Sequence, residues 1–380
     1  MNFEFSDDLL QLRETARRYL AARGTIREAR RVLEGAQTHD AALWQGLAKM
    51  GWIGAAIPEE HGGAGLGHEG LCILAEELGR AGAAVPFSSS AYLAAEALML
   101  CGSPAQQQSW LPRLARGEVI GTLAWAEGAG NPRAAGIGTA IDGVVEAAGS
   151  AGAGMRLSGR KLPVPDGMIA DFAIVVARDG GGAIRLVLVE LAARGVARTR
   201  LATIDPTRDH AAVDFAAARG ECLAVGGWST VETVLERAAI LTAFEQIGGA
   251  SACLDMATAY ARERHAFGRP IGSFQAIKHK LADVYIALEL ARSNAYFGAW
   301  ALQAGAADLP LAAASARVAA CEAFHLAAKE SIQTHGGMGF TWEADCHLYY
   351  RRAACLALGL GSAGWWKDRL VTCLETRNAA

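Results

Sequence analysis

Between residues 119 and 225 the chain abandons the helical spacing of apolar residues that it keeps on either side. This switch of period constrains the fold more than any single motif. Residues 171–177 and 184–191 are short apolar runs rich in β-branched side chains, bounded by Gly, Pro and Asp, as strands are. Glycine gathers in the same block: 14 of the 44 lie in residues 121–182, so the block reads as a small β domain with many turns. Upstream, Ser6 can cap a helix whose first turn carries Asp7 and Asp8, with Phe5 stapled to Leu10. Leu9, Leu12, Ala16, Tyr19 and Leu20 then keep helical spacing. Further helices are predicted over 41–50 and 68–80, on either side of Pro58 and the run Gly62-Gly63-Ala64-Gly65. Downstream, Val231, Val234, Leu235, Ala238, Leu241 and Thr242 form one stripe of a helix running towards Arg262. Helices follow at 274–304 and 310–334, with a last one around 343–358. The expected architecture is therefore α+β in three parts: a helical domain over 1–118, a β domain over 119–227 and a helical bundle over 228–380.

Several classes of function drop out. A net charge of −3 and a pI near 6.3 give no reason to expect nucleic acid or an anionic membrane as partner. No stretch has the uncharged length of a spanning helix, and the N-terminus lacks the pattern of a secretory signal. The eight cysteines contain no C-x-x-C pair, so neither a metal site nor a disulfide framework is expected. A cytoplasmic protein is the expectation.

Two clusters could carry chemistry. The first runs Tyr260-Ala-Arg262-Glu263-Arg264-His265-Ala-Phe267-Gly268-Arg269-Pro270-Ile271, then Phe274-Gln275. Arg264 offers a bidentate fork to phosphate, Phe267 a stacking face and Gln275 a donor–acceptor pair. The same residue types also describe a solvated helix end with Phe267 in the core. The second cluster is Gln333-Thr334-His335-Gly336-Gly337-Met338-Gly339-Phe340, whose glycines let backbone approach a pyrophosphate, or simply make a turn between helices.

Taken together and in this order, the two clusters resemble the acyl-CoA dehydrogenase family. Gly51-Trp52, Pro58-Glu59-Glu60-His61-Gly62-Gly63 and Glu76-Glu77-Leu78-Gly79-Arg80 extend the resemblance over essentially the whole chain, as does the opening Phe3-x-Phe5-Ser6. The resemblance implies an N-terminal helical domain, a middle β-barrel or sandwich, and a C-terminal four-helix bundle through which subunits associate as dimers or tetramers. It implies FAD, with Arg264, Phe267 and Gln275 on its adenosine and pyrophosphate and Gln333, Gly336 and Gly337 approaching the same pyrophosphate. The implied reaction is α,β-desaturation of an acyl-CoA thioester in fatty acid or steroid catabolism. A carboxylate takes the α proton, hydride goes to the flavin, and electron-transfer flavoprotein is a possible acceptor.

The chain departs from that pattern where the chemistry would occur. Leu360 stands where the family's usual catalytic Glu would be, and Ala238 stands at the alternative base position on the long helix. Glu236 is two residues away and should face elsewhere. Glu245 is seven residues on, back on the Ala238 face, and is the candidate base; the competing reading is a structural carboxylate paired with Arg or backbone. Ala238, Thr242 and Leu360 are expected at the substrate pocket. Pro86 to Ser90 are expected to border that pocket or to cap a helix. At the flavin ring, Ala126 replaces a Thr, and Pro163 and Pro165 occupy the two contact positions of a Trp-x-Thr-Asn segment. Asp205-Pro206-Thr207-Arg208 and Phe340-Thr341-Trp342-Glu343-x-Asp345 resemble family members that degrade steroids and other bulky CoA thioesters. Some of those work as two-chain tetramers in which one subunit type lacks the base. The two readings are therefore a stand-alone dehydrogenase and a non-catalytic partner that shares an FAD site with a base-bearing chain.

Overall fold

The computed structural model describes residues 5–143 and 155–379; Phe3 and the glycines at 149, 152 and 154 lie outside the described residues. The helices are α1 (Asp7–Arg23), α2 (Thr25–Leu33), α3 (Ala41–Lys49), α4 (Gly67–Arg80), α5 (Ala95–Cys101), α6 (Pro104–Ala115), α7 (Trp228–Glu263), α8 (Gln275–Ala304), α9 (Leu309–His335), α10 (Cys346–Leu358) and α11 (Ala363–Ala379). The strands are β1 (Gly121–Ala124), β2 (Ala140–Asp142), β3 (Met155–Pro165), β4 (Phe172–Arg178), β5 (Ile184–Glu190), β6 (Val196–Arg200), β7 (His210–Cys222), β8 (His265–Ala266) and β9 (Arg269–Pro270). The helix around 343–358 is not the last, since α11 follows it.

The chain forms two compact units. One comprises Met1–Glu34, His68–Ala83 and Ala239–Ala380, and among its described residues the regular elements are helices apart from the β8–β9 hairpin. Its helices approach closely because small residues line the contacts. A Cβ on Gly79 of α4 would sit 2.0 Å from the Glu245 carbonyl oxygen of α7, and one on Gly248 would sit 1.9 Å from that of Glu76. Only glycine at both positions lets the two backbones touch. Phe5, Phe244 and Tyr296 make an aromatic cluster in this core, with Phe5 and Tyr296 edge to face at 4.9 Å. Arg317, fully buried, is held by Gln246 Oε1 at 2.7 Å and by the Leu356 carbonyl.

The other unit comprises Gly35–Gly67 and Ala84–Ala238. Its seven-stranded sheet runs β1-β4-β2-β3-β7-β5, with β6 on β7, and β5 returns to pair with β4, so that β4, β2, β3, β7 and β5 close a ring. Strand β4 is buried from Phe172 to Ala177, as its continuous apolar run requires, and pairs antiparallel with β5 from Phe172↔Glu190 to Arg178↔Ile184. Phe172 also packs 4.5 Å from Trp110 of α6. Between β3 and β7 the register shifts across Lys161–Val164, where Leu162 turns its backbone to another segment.

Candidate functional site

In the helical unit the two glycine- and arginine-bearing clusters meet. Tyr260, near the end of α7, stacks on His335, the last residue of α9, with ring centroids 4.3 Å apart. His335 Nδ1–H donates to the Ser331 carbonyl at 2.7 Å, which fixes the ring. The β8–β9 hairpin then turns at Phe267 and Gly268, both at positive φ (54° and 77°), as a tight two-residue hairpin demands. An aromatic residue in the left-handed region is uncommon and strained, and Phe267 is also 95% exposed. The core reading of Phe267 is thereby overturned: the turn holds the ring outwards. Arg264 and Gln275 are exposed as well. Gln275 opens α8, whose N-cap Phe274 supplies no side-chain hydrogen bond, so first-turn N–H groups remain for an anion. Gln333, Gly336 and Gly337 are exposed; Gly336, at φ 59° and ψ −134°, has a conformation glycine alone adopts readily, and a Cβ there would meet nothing within 4 Å.

These residues fit the adenosine and pyrophosphate of FAD. An exposed aromatic ring, a guanidinium, an amide, an uncapped helix N-terminus and open glycine backbone belong to one unit and none is consumed by packing.

The segment after the Gly-rich turn is anchored by a helix that sequence reasoning missed. Arg30 of α2 donates to Asp345 Oδ1 at 2.7 Å, to the Glu343 carbonyl at 3.2 Å and to the Trp342 carbonyl. The acid at 345 was the available signal, but α2 sits within an Arg-rich stretch whose mean hydropathy is low.

Glu245 lies on α7, 2% exposed, with Arg352 Nη1 of α10 at 3.4 Å; the same nitrogen donates to the Ala83 carbonyl at 3.1 Å. Thr242 is buried one turn earlier, and Leu360 is buried with its carbonyl accepting from Trp366 Nε1 at 3.0 Å. Leu360, between α10 and α11, thus offers its carbonyl to α11 and a hydrocarbon side chain to its surroundings.

In the β unit, Ala126, Pro163 and Pro165 offer no side-chain donor, and the prolines no backbone N–H. The neighbouring backbone is satisfied internally: Leu162 N–H donates to the Ala126 carbonyl at 2.9 Å, and Gly128 N–H to the Leu162 carbonyl at 2.8 Å. Ala238 and Glu236 are both buried on α7. Pro86 leads into a π-helical stretch, Ser88–Ala94, whose serines tie to the barrel. Ser88 accepts from Arg208 Nη1 at 3.0 Å, Ser89 donates to Asp166 Oδ2 at 2.6 Å and Ser90 accepts from Gly121 N–H at 3.2 Å. Burial raises the pKa of the Asp166 carboxyl, against the opposing pull of Arg208. Among the described residues no cluster of His, Cys, Asp and Glu could hold a metal ion, and no helix is long and apolar enough to cross a membrane.

Comparison with known proteins gives two family matches: the acyl-CoA dehydrogenase N-terminal domain over residues 6–118 and the acyl-CoA dehydrogenase C-terminal domain over 226–368. The chain is 37% identical to the acyl-CoA dehydrogenase IpdE2 of Mycobacterium tuberculosis, over 90% of this chain and 89% of that one. Among solved structures it resembles a variant of the Tcur3481-Tcur3483 steroid ACAD, at TM-score 0.87 and 31% identity, with 98% of this chain and 99% of that chain covered. It also resembles the ChsE4-ChsE5 complex of Mycobacterium tuberculosis, at TM-score 0.88 and 30% identity, with 99% of each chain covered.

Proposed function

The chain belongs to the acyl-CoA dehydrogenase family, and from that premise we propose that it serves the α,β-desaturation of a bulky, steroid-type acyl-CoA as one subunit of a two-chain flavoprotein. In this reading it shares an FAD site with a related chain that carries the base. The observation that carries the proposal is the state of Glu245. A general base must be reachable by the substrate. The Glu245 carboxylate is 2% exposed and already engaged in an ion pair, with Arg352 Nη1 3.4 Å from its Oε1. Leu360 and Ala238 hold no carboxylate at either family position. Two of the solved relatives are named as pairs of chains, and one of these as a steroid ACAD, which supports both the partner and the substrate class.

FAD, when bound, supplies the hydride acceptor of this CH–CH oxidoreductase chemistry. Arg264, Gln275 and the backbone at Gln333, Gly336 and Gly337 would hold its pyrophosphate, and Phe267 would stack on its adenine. Ala238, Thr242 and Leu360 would give the acyl group an apolar wall, and electron-transfer flavoprotein is a fitting acceptor.

The test is to purify the chain alone and with a co-expressed homologue, record visible absorbance, and add a panel of acyl-CoAs without oxygen. The proposal expects bleaching only in the two-chain preparation. Bleaching in the homomer would replace it with the stand-alone reading, in which Glu245 leaves Arg352 to act as base.

A further inference from the structure

Lys161 is a buried cation that nothing in the foregoing chemistry uses. It projects from β3 and is 0% exposed, with Nζ 2.6 Å from Glu127 Oε1 and 3.4 Å from the Trp125 carbonyl. The ammonium therefore brackets Ala126, bonding to the residue on each side of it. The next residue along β3, Leu162, makes both of its backbone hydrogen bonds to Ala126 and Gly128. The register shift between β3 and β7 falls at this point, since Leu162 serves the 126–128 segment in place of its neighbouring strand.

Glu127 extends the arrangement. Besides Lys161, its carboxylate accepts from Gly138 N–H at 2.8 Å and Thr139 N–H at 2.9 Å. One side chain so ties the start of the loop 128–137 to its end. Arg178 of β4 holds the far side, donating to the Ala134 carbonyl at 2.7 Å and the Ile137 carbonyl at 3.1 Å. The loop borders an open-sided cavity of about 160 Å³ lined by Trp125, Ala126, Gly128, Gly130 and Arg133 among others. Gly128 and Gly130 have φ of 126° and 142°, and a Cβ on either would meet nothing within 4 Å. They serve backbone shape and not packing.

An ammonium buried in a β-barrel is a poor source of stability, because desolvation offsets much of the attraction to its partner. A methionine of similar volume would serve the core at least as well. Its geometry, however, orders one segment in particular. We propose that Lys161 and Glu127 are positioning residues that set the backbone of Trp125–Thr139. The pair holds Ala126 in register against Leu162 and ties the two ends of the loop together beside its cavity, and so presents a preset surface to the flavin ring in a chain that lacks the side-chain contacts there. The last step rests on the FAD reading above; the positioning of the loop does not.

The experiment compares the full chain with its Lys161→Met and Glu127→Gln variants by hydrogen exchange. Peptides spanning 128–139 report the loop, and peptides within 172–190 report the barrel. Positioning predicts at least tenfold faster exchange in the loop and little change in β4 and β5. Unchanged loop exchange in both variants overturns the proposal, as does an equal rise in loop and barrel, which marks a pair that merely stabilises the fold. Glu127→Gln keeps an acceptor for the two amides, so it remains informative if Lys161→Met does not fold. A parallel titration with FAD expects apparent affinity to fall at least fivefold in either variant. If the unaltered chain takes up no FAD by itself, that result counts against flavin binding by the homomer, and the exchange data still decide the proposal.

Discussion

Removing either member of the Glu245–Arg352 pair separates a structural carboxylate from a catalytic one. The side chains are 2% and 6% exposed, and the contact is 3.4 Å. Truncating one partner of a buried pair costs about 3–5 kcal/mol, because the other charge is left in a dry interior. The contact is longer than the 2.7–2.9 Å of a strong charge-assisted bond, so Arg352→Met should fall near the lower end, about 3 kcal/mol. Glu245→Gln keeps the shape and one acceptor oxygen and should cost about 1.5–3 kcal/mol, the worth of a hydrogen bond to a charged group. The double variant removes both charges and should be more stable than the sum of the single losses implies, by at least about 1 kcal/mol. Urea unfolding followed by circular dichroism measures all three, read as a shift in midpoint at constant slope. Anaerobic flavin bleaching by acyl-CoA in the two-chain preparation supplies the functional readout, which Glu245→Gln should leave within about threefold after correction for folded protein. If stability is unmoved and bleaching falls a hundredfold, about 2.7 kcal/mol at the transition state, Glu245 is the base and the argument from its ion pair fails.

Phe267→Ala should leave stability within about 0.5 kcal/mol, since the ring is 95% exposed. It should weaken FAD binding by about 1–3 kcal/mol, the range for stacking a base on an aromatic ring; fluorescence titration checks this. Gly79→Ala places a Cβ 2.0 Å from a backbone oxygen of α7, beyond what side-chain adjustment absorbs. It should cost about 3 kcal/mol or more, and a loss under 1 kcal/mol in thermal unfolding would show that the two helices can part. Burial lowers the pKa of Lys161 to about 8 from 10.5, although Glu127 pulls it upward. The folded pKa lies below the unfolded one, so between about pH 8 and 10.5 the unfolded chain binds more protons and this group's contribution to stability rises with pH. Relative to Lys161→Met, the unaltered chain should therefore gain about 1.5 kcal/mol between pH 7.5 and 9.5 in urea unfolding. A loss over that range would contradict the assignment.

The three-part alternation of helix, strand and helix was legible because each period is written locally. Ser6 does cap α1, and the runs at 171–177 and 184–191 became β4 and β5 within a residue. Two helices were missed: α2, whose buried Thr25, Ala29 and Val32 keep helical spacing among arginines, and α11, which opens at Ala363 just beyond Gly361. The two clusters were legible as motifs, yet residue types alone allowed Phe267 to be core. Its outward ring depends on a backbone dihedral that the amino-acid code does not print. That Ala238 and Leu360 carry no carboxylate could likewise be read directly, but the pairing of Glu245 with Arg352 could not.

By itself, then, the sequence determined the alternation of helical and β blocks and the family, both of which follow from residue identity and spacing along one chain. Tertiary structure alone decided which charges find each other across distance. Glu245 meets Arg352 after 107 residues, Lys161 meets Glu127 after 34, and Arg30 meets Asp345 after 315. A carboxylate's chemistry depends on its partner and its access to water, and neither is a local property of the chain.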